Sequence, residues 1–74
     1  MKEKLRKIIN GIKIKNGDEE IEIIRNESRL LEDLGLDSID LAELTVKIEN
    51  DFSIDVFEDG IVSTIGEILE RLEK

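Results

Sequence analysis

The chain contains no cysteine and no histidine. Without thiols there can be no disulfide framework, thiolate metal site or cysteine nucleophile. Without imidazole, the commonest general base and the commonest nitrogen metal ligand are missing too. Proline, tryptophan and tyrosine are also absent, and phenylalanine occurs only twice, so the core must be built from aliphatic side chains. No apolar run is long enough to span a bilayer, and the charged start Met1-Lys2-Glu3-Lys4-Leu5-Arg6 has no signal core. A cytoplasmic location without membrane insertion is the expectation.

What is present is charge. Of 74 residues, 41% are charged and 39% hydrophobic, and 19 acidic against 11 basic side chains leave a net charge of −8. One domain, residues 1–74, is the reading of that length. A chain this short buries only about 60% of its unfolded surface, so a deep enclosed active site is not expected. Net negative charge repels nucleic acid phosphates, which argues against a DNA or RNA partner. The same charge keeps a small protein soluble, and a monomer is expected. It also attracts basic patches on protein partners.

The pattern along the chain is predominantly helical. Leu5, Ile8, Ile9 and Ile12 share one face of an amphipathic helix, with Gly11 marking either its end or a late interior position. Ile12-Lys13-Ile14-Lys15 and Ile21-Glu22-Ile23 alternate with period two around Asn16-Gly17, a hairpin signal. An isolated hairpin is marginal in water, so residues 12–23 are open to two readings, a short hairpin or a long ordered loop. Ser28 leads into Leu30, Leu31 and Leu34, expected to tuck a loop against the core. A second helix is predicted from near Ser38 to about Asp51, with Asp37 and Ser38 as cap residues. Leu41, Ala42, Leu44, Thr45, Ile48 and Phe52 form its expected buried stripe, and Asp40, Glu43 and Lys47 its wet side. Phe57 to Val62 can make one short helical turn. Ser63 or Thr64 caps a last helix carrying Ile65, Ile68, Leu69 and Leu72, and Glu67, three residues after Thr64, lies in capping-box register. The fold class is all-α: a small antiparallel bundle of three main helices plus one short helix, with a long connection between the first two.

One segment carries chemistry: Asp33-Leu34-Gly35-Leu36-Asp37-Ser38-Ile39-Asp40-Leu41-Ala42-Glu43-Leu44. It places a serine hydroxyl just after a glycine turn, at a helix start where backbone N–H groups lack partners and the dipole is positive. A phosphate attached there would be well accommodated. Carboxylates at Asp37, Asp40 and Glu43 surround it, beside an apolar patch that includes Leu36 and Ile39. An Asp-Ser pair alone is ordinarily nothing more than a helix cap.

The longer string is more specific. Glu32-Asp33-Leu34-Gly35-Leu36-Asp37-Ser38-Ile39-Asp40 resembles the signature of acyl carrier proteins, in which Leu-Gly-x-Asp-Ser-Leu surrounds a modified serine. Glu43-Leu44, Ile48-Glu49-Asn50-Asp51-Phe52, Ile54-Asp55-Val56 and Thr64-Ile65-Gly66-Glu67 are similar to later family segments, in the right order. The resemblance covers the chain from Arg25 onward and is looser before it. It implies that a phosphopantetheinyl transferase uses coenzyme A and magnesium to attach 4′-phosphopantetheine to Ser38. The terminal thiol of that arm would hold an acyl group as a thioester for acyl-transferring and chain-elongating enzymes of fatty-acid or polyketide type. The resemblance further implies docking of basic enzyme patches by Asp37, Ile39, Asp40, Glu43, Glu49 and Asp51, with Glu58 and Asp59 as weaker contributors. No catalytic residue and no resident metal are expected, since a carrier performs no chemistry of its own.

The departures from the family pattern lie in the long 12–25 connection, the missing proline near Phe57, Lys47 within the acidic helix, Val46 in place of a frequent methionine, and Asn50 in place of an acid. They bear on which pathway is served. Two other classes compete with the carrier reading. An unmodified acidic adaptor would tolerate loss of Ser38. A small enzyme would need a nucleophile–base pair that is not apparent. A calcium loop starting at Asp33 fails, because Gly35 and Leu44 fall where oxygen ligands are required.

Overall fold

The apolar spacing of the first segment is realised as α1, Lys2–Lys15, which runs straight through Gly11. The structure is a computed structural model that describes residues 2–57, 60 and 62–73. Leu5, Ile9 and Ile12 are fully buried along α1, while Ile8 is only half-buried. Asn10 joins the buried face, a position that hydrophobic periodicity does not reveal.

Residues 12–15 are helix, not a strand. Of the alternating pair, Ile12 enters the core and Ile14 stays exposed, so the 3.6-residue period set by Leu5 and Ile9 prevails over the local period of two. Asn16-Gly17 serves as a helix terminator. Gly17 takes a left-handed φ of 81°, and its N–H donates to the Ile14 carbonyl at 3.0 Å. The next N–H, of Asp18, donates to Lys13 at 2.8 Å, which completes a Schellman motif. The same dipeptide suits a hairpin turn and a helix stop, because both need a residue that tolerates positive φ.

The connection that follows is the long loop. The core takes Ile24 and half of Ile21, leaving Ile23 exposed. Ile21 finds its backbone partner in a side chain. The Asn10 Nδ2 donates to its carbonyl at 2.9 Å, and its N–H donates to the Asn10 Oδ1 at 2.7 Å. Further on, Leu30 and Leu34 are buried, whereas Leu31 points to solvent. Leu36, expected beside the serine on the surface, is instead 3% exposed and part of the core.

Helix α2 spans Ser38–Phe52 and α3 spans Ile65–Leu72. Lys4 lies over the Phe52 ring and Lys15 pairs with Glu43 at 3.0 Å, so the start of α1 meets the end of α2 and the two run antiparallel. Along α2 the buried residues are Asp40, Leu44 and Ile48, with Leu41, Thr45 and Phe52 half-buried. Two expectations change here. Ala42 is exposed, and Asp40 is 7% exposed. The register explains both: Asp40 sits one turn before Leu44 on the same face, whereas Ala42 is rotated away from it. α2 ends at Ser53, which takes the left-handed conformation and donates its N–H to Glu49 at 2.8 Å.

The short fourth helix expected at Phe57–Val62 falls on Glu58, Asp59 and Ile61, which lie outside the described residues. Around that segment, Arg71 of α3 donates to the carbonyls of Val56 and Gly60. Val56 and Val62 are buried, so the segment is anchored to the core on both sides.

The start of α3 docks on the loop. Its cap is Thr64, whose hydroxyl accepts from the Glu67 N–H at 3.3 Å. The Glu67 carboxylate reaches one residue further than a capping box requires, accepting from the Ser63 N–H. Leu30 N–H donates to the Ser63 carbonyl, Ile65 N–H to Ser28 and Gly66 N–H to Asn26 at 2.7 Å. A Cβ on Gly66 would lie 2.9 Å from the Asn26 carbonyl oxygen. Alanine normally stabilises a helix by about 1 kcal/mol relative to glycine. Gly66→Ala is expected to reverse that sign, lowering the melting temperature because the loop must be pushed off the helix. Thermal unfolding of the variant measures it.

Candidate functional site

The site is built from the N-terminus of α2. Asp37 is its cap: the extended backbone of Asp37 brings its Oδ1 to the Asp40 N–H at 2.8 Å. Asp40 returns the contact, its Oδ2 accepting from the Asp37 N–H at 3.2 Å. This reciprocal capping box leaves Ser38 as the first helical residue, with its side chain exposed. Of the two cap candidates in the sequence, Asp37 is the one used. The Asp37 Oδ1 meets the third helical N–H, and the Leu41 N–H pairs with the Asp37 carbonyl. The N–H groups of Ser38 and Ile39 have no acceptor among the described residues. They are free donors at the positive end of a helix dipole, beside an exposed hydroxyl.

The turn leading into the helix is shaped by Gly35, whose φ is 73°, a left-handed value that favours glycine. The Leu34 carbonyl just before it accepts from the Lys13 Nζ at 2.7 Å. Leu36 is pinned by its own N–H, which donates to the Leu30 carbonyl, and by burial of its side chain.

The other predicted site residues are not all brought together. Ile39 is 76% exposed and stands beside Ser38. Helical register places Ala42, Val46 and Glu49 on the same outward strip, and all three are exposed. Val46 was not among the docking residues expected from sequence; the seven-residue spacing from Ile39 is the signal that finds it. Glu43 is half-buried at the flank and paired with Lys15. Asp51 is exposed but turns toward α1, where it lines a groove of about 250 Å³ with Lys7, Gly11 and Lys47. Asp40, expected on the wet side, is inside. Its Oδ1 accepts from the Asn16 Nδ2 at 2.8 Å. Glu58 and Asp59 lie outside the described residues.

The Asn16 amide beside Asp40, together with the Asp37 backbone N–H, holds the Asp40 carboxyl below the usual carboxylate range, and the Lys13 charge adds to this. Asp33 is also lowered, first by the Arg29 backbone N–H and then by its guanidinium.

A hydroxyl in the open, with free N–H donors next to it, fits a covalently attached phosphodiester. The hydroxyl can be reached by another enzyme, and the phosphate oxygens gain donors without displacing any internal hydrogen bond. Of the nearest carboxylates, Asp40 has both oxygens engaged, by Asn16 and by the Asp37 N–H, and Asp37 has its Oδ1 engaged in the cap.

A carboxyl whose pKa is depressed on folding stabilises the native state above its unfolded pKa. That contribution is lost as pH falls through the folded value. For Asp40 the starting value is 3.8, so the loss belongs below about pH 4. Asp40→Asn cannot titrate. Its melting temperature is expected to fall less than that of the wild type between about pH 4 and 2, with unfolding followed by circular dichroism at each pH.

Residues 4–72 match the family described as the phosphopantetheine attachment site. An acyl carrier protein of Thermotoga maritima is 36% identical over 53 residues, which make up 69% of this chain and 65% of that protein. One from Wolinella succinogenes is 33% identical over 54 residues, 70% of this chain and 71% of that protein. One from Amoebophilus asiaticus is 42% identical over 50 residues, 65% of this chain and 62% of that protein. The aligned stretch thus spans a little under two thirds of the Thermotoga and Amoebophilus proteins. With a family match over residues 4–72, nearly all of the described fold, the chain belongs to the phosphopantetheine-attachment family, as its acyl carrier relatives suggest.

Proposed function

We propose that this protein is an acyl carrier that bears 4′-phosphopantetheine on the Ser38 Oγ and delivers acyl groups to enzymes of fatty-acid or polyketide type. The observation that carries the proposal is the Ser38 hydroxyl: exposed, at the first position of α2, with the Ser38 and Ile39 N–H groups unspent. The arm supplies a terminal thiol on which an acyl group can be held, with coenzyme A as its source. What the chain supplies is an anchor and an address. The anchor is Ser38. The address is the surface that partner enzymes read.

That surface has an apolar strip and an acidic border. Ile39 and Val46 are large exposed aliphatics on the outward face of α2. Asp37 and Glu49 border them, with Glu43 at the flank and Asp51 at the far end toward α1. Basic patches on a phosphopantetheinyl transferase, and on acyl-transferring and chain-elongating enzymes, are the complementary partners. Exposed charges of this kind act mainly through encounter rate and orientation. Asp40 contributes from inside, by holding the helix start.

The test is intact-mass analysis after incubation with coenzyme A, magnesium and a broad-specificity transferase. The wild type gains one phosphopantetheine and Ser38→Ala gains none. Modification of Ser38→Ala, or an unmodified wild type, would sink the proposal. The address is tested separately. Glu49→Lys is expected to raise the KM of loading roughly threefold or more at low salt, a difference that shrinks as salt screens the charges, with kcat unchanged.

A further inference from the structure

One sequence motif is left unused by the attachment reading: Asn16-Gly17. The glycine stops α1. The asparagine does something else. Its amide reaches across to α2 and donates to the Asp40 Oδ1 at 2.8 Å, in a contact between residues 24 apart in sequence. Asp40 is the residue that closes the capping box with Asp37 on either side of Ser38.

Two more contacts leave the same turn of α1 for the same segment. Lys13 Nζ donates to the Leu34 carbonyl at 2.7 Å, one residue before the left-handed Gly35. Lys15 Nζ pairs with the Glu43 carboxylate at 3.0 Å. The three residues thus hold the approach to the serine, the capping residue just after it and the next turn of the helix. Their energies differ. The Lys15–Glu43 pair is largely exposed on the lysine side and contributes little. The Asn16–Asp40 contact is made by a carboxylate that is 7% exposed. Charge-assisted hydrogen bonds to such a group are the stronger kind.

The consequence is geometric. A cap at a helix start can fray, because the first turn has few hydrogen bonds to lose. With Asp40 tethered to α1, the first turn of α2 cannot fray unless the contact between the helices opens as well.

We propose that the last turn of α1 is a bracket for the serine turn, with Asn16 as its positioning residue. Acting through Asp40, Asn16 sets the geometry in which the Ser38 hydroxyl is presented to the modifying enzyme. This inference rests on Ser38 being the attachment point, and it deepens that reading by making modification depend on a residue 22 positions away. Asn16 touches neither the serine nor the group transferred to it.

The test uses the apo protein and its loading by a transferase. Asn16→Ala leaves the charge of the docking surface unchanged. It is expected to lower kcat for loading about tenfold, the scale of a misplaced reacting group, while KM stays within about twofold. Asn10→Ala is the control. It removes the other polar clamp of α1, on the Ile21 backbone, and is expected to lower the melting temperature at least as much while loading at the wild-type rate. Equal slowing by both variants, or no slowing by Asn16→Ala, would overturn the inference.

Amide hydrogen exchange of the unmodified protein gives a second readout that needs no transferase. In Asn16→Ala the Asp40 and Leu41 amides are expected to exchange faster, while those of Leu44 and Ile48 hold. Asn16→Asp sets one carboxylate against another and should lose more protection at Asp40 and Leu41 than Asn16→Ala. Unchanged exchange at these amides, or equal loss in the two variants, would refute a charge-assisted bracket. Should the wild type never be loaded at Ser38, the attachment reading fails, and the exchange data still decide the bracket.

Discussion

Every helix begins with N–H groups that have no partner within it, and the start of α2 shows how this chain answers that constraint. Asp37 and Asp40 cap each other across Ser38, the Asp37 Oδ1 accepting from the Asp40 N–H and the Asp40 Oδ2 from the Asp37 N–H. The Ser38 and Ile39 N–H groups face outward with the hydroxyl. Ordinary capping chemistry therefore leaves an exposed hydroxyl beside unspent N–H donors, the arrangement on which the proposed attachment at Ser38 rests. Gly35 and the buried Leu36 fix the approach, and Asn16 fixes the cap from α1.

The rest of the fold answers a second constraint, that of a long loop on a small core. Residues 16–37 carry many backbone groups and no strand among the described residues to pair them. Side chains from the helices do that work. Asn10 clamps Ile21 and Lys13 holds Leu34, and in the later connection between α2 and α3 Arg71 gathers Val56 and Gly60. Backbone contacts join the loop to the start of α3, where Gly66 allows the Asn26 carbonyl to approach closely. Among the described residues no buried side-chain nitrogen or oxygen lacks a hydrogen-bond partner. Backbone polar groups near a core must be paired, and here polar side chains replace the ladder of a sheet.

Charge is divided by depth as much as by sign. Glu49 and Asp37 lie exposed beside the apolar strip of Ile39 and Val46. Asp40 belongs to the interior and holds a helix in place. Glu43 stands between these limits, half-buried and paired with Lys15, while Asp51 is exposed beside Lys7 and Lys47. Among the described residues no helix is long and apolar enough to cross a membrane.

Composition, periodicity and capping signals were enough to establish an all-α class, the three helices and most of the core, and to point to Ser38 as the helix-start residue of interest. These depend on interactions between near neighbours: apolar residues three or four apart, caps beside helix starts, a glycine before a turn. Which way residues 12–23 would fold was not legible, because Asn-Gly permits positive φ in a hairpin and in a helix stop alike. Only packing of Leu5, Ile9 and Ile12 as one face selected the helix. Asp40 looked like a surface charge because polarity alone suggests solvent. Its burial follows from its register with Leu44, and Asn16, 24 residues away, lowers the cost of bringing the carboxylate inside by donating to it. Local chemistry was written in the chain; the partner that made a charge structural appeared only when two distant helix ends met.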